Sequence, residues 1–136
     1  MTQLEALQAA LAGEHAALYG VGVAGGKLSG ARFKAATDAY ERHRDTRDHL
    51  SALVVAAGET PVAAEPAYDL PQVVTNAATA AALILLIERR LAAVYGDLVE
   101  AAEQPAVRAL AIKSLLAAAS AQLAWGGAPV AFPGAV

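Results

Sequence analysis

Apolar side chains return every three or four residues along most of this 136-residue chain, which is the spacing of one helix face; the strict alternation of a half-buried strand is missing. One stripe reads Leu4, Leu7, Leu11, Glu14, Leu18, Val21. A second reads Phe33, Ala36, Tyr40, His43, Arg47, Leu50, Val54, and a third Ile84, Glu88, Leu91, Tyr95. The punctuation between stripes is legible. Thr2 followed by Glu5 has the form of a capping box, in which each side chain satisfies an orphan amide. Gly25-Gly26 offers a positive-φ position to close the first helix, Gly58 stops the second, and Gly126-Gly127 stops the fourth. Pro71 and Pro105 suit first helical turns. Four helices are therefore predicted, over about 2–25, 29–57, 71–103 and 105–125, in one all-α domain spanning 1–136.

Loop lengths predict the topology. The first and second helices are joined by a short glycine-containing turn, and Gln104-Pro105 separates the third from the fourth, so each pair is antiparallel. The connection between the second and third helices, Glu59 to Leu70, is the only long one. Extended, it reaches at most about 40 Å, enough to run the length of a bundle. A long crossover there distinguishes a ferritin-like four-helix bundle from a simple up-and-down one. Gly20 to Gly26 follows a helix rather than a strand, so it is not a dinucleotide fingerprint.

Composition narrows the function. The chain is 57% hydrophobic but only 5% aromatic, so alanine, leucine and valine must supply the core. Net charge is −3 with no basic stripe, which argues against a nucleic-acid partner. The absence of cysteine removes disulfides, thiolate catalysis and cysteine-ligated zinc. Mean hydropathy is positive, at +0.41. Even so, the uncharged stretches 70–87 and 114–136 are broken by polar residues, glycines or prolines, short of a continuous apolar span of about 20 residues. No membrane partner is expected, and with no secretory start the expectation is a cytoplasmic protein. Long apolar faces suggest a homodimer.

The candidate chemistry lies where charge interrupts the stripes. Glu14, Arg47 and Glu88 each place a charge on an apolar seam, which is costly unless the charge is paired, metal-bound or reaching water. One shared polar centre would resolve all three, with Tyr40, His43 and Tyr95 on the same faces. Arg44 takes the place of Arg47 if the second helix is rotated by one position. Di-iron carboxylate bundles take single glutamates from two helices and a Glu-x-x-His pair from each of the other two. Glu14 and Glu88 suit the single glutamates. The second helix, however, carries Tyr40-Glu41-Arg42-His43, with tyrosine where the carboxylate belongs. The fourth helix has no Asp, Glu or His between Pro105 and Trp125.

The chain resembles a bacterial family of the ferritin-like superfamily that has no assigned activity. The residues carrying the likeness are Glu14-His15-Ala16-Ala17-Leu18-Tyr19-Gly20, His43-Arg44, Arg47-Asp48, Tyr68-Asp69-Leu70-Pro71, Glu88, Tyr95, Trp125-Gly126 and Phe132-Pro133-Gly134. The resemblance covers nearly the whole chain and implies the ferritin-like fold without implying a reaction.

Three functions fit these residues. The first is a structural or interaction module without a di-iron centre, in which Arg47 bridges Glu14 and Glu88 while His43 and Tyr40 complete the hydrogen bonds. The second is a pocket for a small anionic ligand, held by Arg47. The third is a mono-metal oxidoreductase; if any ion is held, its ligands are Glu14, His43 and Glu88. The first implies no cofactor. His15, about 100° from Glu14 around the helix, belongs to a flank, and His49 to a solvated face. Trp125 suits a tail anchor or a subunit contact. No Ser-His-Asp arrangement, phosphate loop or His-Glu-x-x-His motif occurs.

Overall fold

The computed structural model describes residues 1–135 and contains α1 (Gln3–Gly25), α2 (Gly30–Ala56), α3 (Ala77–Ala101) and α4 (Pro105–Ala124). Local chemistry sets the ends. The Thr2 hydroxyl accepts from the Glu5 amide at 3.1 Å and the Glu5 carboxylate accepts from the Thr2 amide at 2.7 Å, forming the capping box of α1. Gly58 and Gly126, at φ +82° and +92°, reverse the chain after α2 and α4.

Two ends differ from expectation. α1 closes without a left-handed residue, because Gly26 is right-handed at φ −65°; the positive φ sits at Gly30, where α2 begins. α3 starts at Ala77 rather than near Pro71. Asn76 provides a better start than the proline: its side chain accepts from the Thr79 amide at 2.9 Å, and the Thr79 hydroxyl accepts from the Asn76 amide at 3.1 Å. The crossover therefore covers residues 57–76.

That crossover is strapped along α1. Gln8 donates to the Thr60 carbonyl at 2.8 Å and accepts from the Val62 amide at 2.9 Å. His15 Nε2 lies 3.0 Å from the Val62 carbonyl, and Tyr68 packs on Tyr19 with ring centroids 5.8 Å apart. Leu70 then inserts beside Gly20.

α1 packs against both α2 and α3, and α3 packs against α4. The fourth side, α2 against α4, shows no comparable backbone approach. Two apolar clusters fill the interior. One gathers Leu7, Leu11, Leu50, Val54, Leu98 and Val107. The other gathers Val21, Ala36, Ala39, Leu83, Ile84 and Trp125. Trp125 is thus core, with Arg32 stacked on its ring at 5.1 Å, rather than a tail anchor or subunit contact. α4 is long and apolar enough by composition to cross a bilayer; one face of it packs on α3, and Ile112, Leu116 and Leu123 stay exposed on the other.

Candidate functional site

Glu14, His43 and Glu88 fall where the two apolar clusters meet, each with no more than 2% of its surface exposed. Their positions follow from the helix period. Glu14 lies between Leu11 and Leu18 on the inner face of α1. His43 lies between Ala39 and Leu50 on α2, and Glu88 between Ile84 and Leu91 on α3. His43 Nδ1 donates to Glu14 Oε2 at 2.7 Å, and His43 Nε2 donates to Glu88 Oε1 at 2.8 Å. Carboxylates only accept, so satisfying both contacts requires protons on both ring nitrogens, that is, an imidazolium. Burial, the largest influence on this ring, opposes its charge. The hydrogen bonds to Glu14 and Glu88 and their charges outweigh burial and raise the His43 pKa from 6.5 to about 9.

Two further groups complete the network. The Tyr95 hydroxyl donates to Glu14 Oε1 at 2.5 Å. Burial, then the Glu14 charge, pushes the Tyr95 pKa well above the phenolic range, so the hydroxyl keeps its proton. Arg42 Nη2 donates to Glu88 Oε1 at 2.7 Å. Two carboxylates thus face an imidazolium and a guanidinium, and their formal charges cancel. One atom is left over: Glu88 Oε2 is buried and has no hydrogen-bond partner.

The predicted centre is therefore partly assembled and partly reassigned. The structure brings together Glu14, His43, Glu88 and Tyr95. Arg47 does not join them; it is half-buried and pairs with its neighbour Asp48, with Nη2 at 2.9 Å from Oδ1. Arg44 is exposed, so rotating the helix by one position does not place it inside either. Tyr40 is 39% exposed and lines a separate surface groove with Gly22 and Phe33, because the α1 backbone rather than the bundle axis lies opposite it. The missed residue is Arg42. On a helical wheel it stands about 100° from His43 and looks peripheral. Its long side chain folds back across that angle to reach Glu88, with a third of it still in solvent. The only signal in the sequence was its adjacency to a buried histidine.

Above this network a cavity of about 400 Å³ opens along the α2–α4 side. Asp38, Glu41, Arg42, Asp45 and His49 line it from α2. Leu110, Lys113, Ser114 and Ala118 line it from α4, and Glu14, Glu88 and Tyr95 form its floor.

The donor set differs from that of a di-iron carboxylate bundle, which draws ligands from all four helices. Among the described residues, no group of three His, Asp or Glu side chains is arranged to hold an ion. Glu14, His43 and Glu88 come close, but the histidine turns both nitrogens onto the two carboxylates and has none free for a metal. α4 contributes no acidic or imidazole ligand.

The arrangement of helices and the long crossover are those of the ferritin-like class. The chain belongs to the family described as a domain of unknown function, DUF4439, whose pattern matches residues 6–136. It is similar to a conserved hypothetical protein, rv2844, from Mycobacterium tuberculosis. The two are 33% identical, the match covers 90% of this chain and 93% of that one, and the TM-score is 0.88. It is also similar in fold to a ferritin-like, diiron-carboxylate protein from Bacillus anthracis, at 15% identity, with 90% and 91% of the two chains covered and a TM-score of 0.73. No functionally curated protein matches the chain.

Proposed function

We propose that this ferritin-like bundle works without a di-iron centre, and that its buried network is the fixed floor of a binding cavity rather than a redox site. The observation that carries this reading is the double engagement of His43, at 2.7 and 2.8 Å from carboxylates on two different helices. An imidazolium, helped by Arg42, supplies the positive charge that paired buried carboxylates demand. Such a network fixes the register of otherwise interchangeable alanine- and leucine-rich faces. It also leaves a walled space above it for a small molecule.

An anionic ligand is the less favoured occupant. Arg47, its expected anchor, lies outside the cavity, and Arg42 is already engaged by Glu88. The carboxylates of Asp38, Glu41 and Asp45 would repel an anion at the walls.

Metal analysis tests the reading directly. Protein prepared without a metal-affinity tag is expected to carry no stoichiometric iron, manganese or zinc, and its thermal midpoint is expected to stay constant when each ion is added. One ion per chain that survives dialysis and is lost in both Glu14→Gln and Glu88→Gln would overturn it.

A further inference from the structure

We infer that the α2–α4 cavity binds a small aliphatic amine carrying a second cationic group, with one ammonium at Glu88 and the other at the rim carboxylates of Glu41 and Asp45. This deepens the metal-independent reading above and rests on it. Three independent features of the site converge on that ligand.

The first is the unsatisfied acceptor. Glu88 is wholly buried and forms part of the cavity floor; its Oε1 takes both Arg42 and His43, while Oε2 takes nothing. A buried carboxylate oxygen without a donor is costly, and an incoming N–H group is the chemistry that relieves it. An ammonium supplies three such donors. A ligand carboxylate supplies none.

The second is the sign of the rim. Glu41 and Asp45 stand one turn apart on the same face of α2, and neither forms an ion pair among the described residues. Asp38, the remaining acid on that wall, is already paired with Lys34 at 3.0 Å. Of the cavity's cations, Arg42 and His43 are engaged by the floor carboxylates, which leaves Lys113 on the opposite wall. The free charge facing the opening is therefore mainly negative.

The third is the space between floor and rim. Leu91, Leu110, Ala117 and Ala118 give the lining an apolar share, beside the hydroxyls of Thr46 and Ser114. A short methylene chain fits such a lining, and a cavity of about 400 Å³ has room for it with water to spare.

Calorimetric titration near neutral pH with 1,5-diaminopentane, pentylamine and pentanoate tests the inference, with ferrous and manganous ions titrated in parallel. The diamine is expected to bind, pentylamine to bind roughly tenfold more weakly, and pentanoate to give no heat. The exposed double variant Glu41→Gln/Asp45→Asn, which leaves the buried network intact, is expected to bring the diamine down to the affinity of the monoamine. Glu88→Gln is expected to weaken both amines. Absence of diamine binding to the wild type, equal binding of pentanoate, or a rim variant that binds the diamine as tightly as wild type would each overturn the inference. Failure with the amines while the metals also stay silent overturns the amine assignment alone. Stoichiometric metal binding would instead strike the metal-independent reading.

Discussion

The α1–α3 and α2–α4 sides of this bundle are built on opposite terms. On the α1–α3 side small residues let the helices close. A Cβ on Gly13 would meet the Leu91 side chain at 3.1 Å, and one on Gly20 would meet Ile87 at 2.6 Å. The Leu11 and Ile84 side chains on these faces are wholly buried. On the α2–α4 side the facing positions carry Asp38, Glu41, Asp45 and Lys113, which cannot be dehydrated cheaply, so the helices do not close and a cavity remains. The α1–α3 contact is apolar outside the Glu14–His43–Glu88 network and the exchangeable polar chemistry lies on the α2–α4 side, with that network as the border between them. The difference implies that stability and binding are separable by mutation in this protein.

The border itself is expected to be the most sensitive place. His43→Leu removes the imidazolium and leaves two buried carboxylates facing each other, a change expected to cost about 3–5 kcal/mol in urea unfolding. His43→Gln, whose amide can donate to only one of them well, is expected to fall between that variant and wild type. A His43→Leu protein as stable as wild type would show that the two sides meet without needing this charge.

On the closed side, Leu11→Ala opens a void in a wholly buried position and is expected to cost about 3 kcal/mol. Amine affinity is expected to stay unchanged, because Leu11 does not line the cavity. A parallel loss of binding would mean that the two sides are mechanically coupled rather than separable.

The border also makes stability depend on pH with a definite sign. His43 is raised from 6.5 to about 9 in the folded state, so the native protein holds a proton that the unfolded chain gives up near its ordinary value. The stabilisation is complete below about pH 6.5 and is lost as pH climbs through about 9, a decline on the order of 3 kcal/mol. Urea midpoints measured across that window are expected to fall for wild type and to flatten in His43→Gln. A wild-type curve without slope there would contradict the imidazolium.

Much of this arrangement was written in the periodicity of the chain. The apolar stripes, the capping pair Thr2 and Glu5 and the stop at Gly126 depend on neighbours within one or two turns, and they place α1, α2 and α4 within a residue or two of their ends. Glu14, His43 and Glu88 were visible for the same reason: each is a polar residue in phase with a buried face. The beginning of α3 was obscured because Pro71 and Asn76 both make acceptable starts, and the winner, the Asn76–Thr79 box, was decided by side-chain hydrogen bonds. The open side was invisible, since a chain cannot announce which pair of its helices will fail to close. That pairing decides which arginine reaches the centre.

Arg42 and Arg47 sharpen that last point into the smallest and most discriminating of these contrasts. Arg47, four residues from His43, is nearly in phase with it, whereas Arg42 is about 100° away. Phase alone therefore assigns Arg47 to the interior. Yet Arg47 pairs with its exposed neighbour Asp48, while Arg42 reaches Glu88 through the open side at 2.7 Å. Arg47→Ala removes a half-exposed pair of adjacent residues outside the network and is expected to change stability by at most about 1 kcal/mol. Arg42→Ala takes a charge-assisted donor from a buried carboxylate that His43 still holds, and is expected to cost about 1.5–3 kcal/mol. Water entering through the open side would bring that figure toward its lower end. Equal effects of the two substitutions would mean that α2 sits rotated from its described position. The reverse order would restore Arg47 as the bridge and remove the open side as the route by which charge enters the bundle.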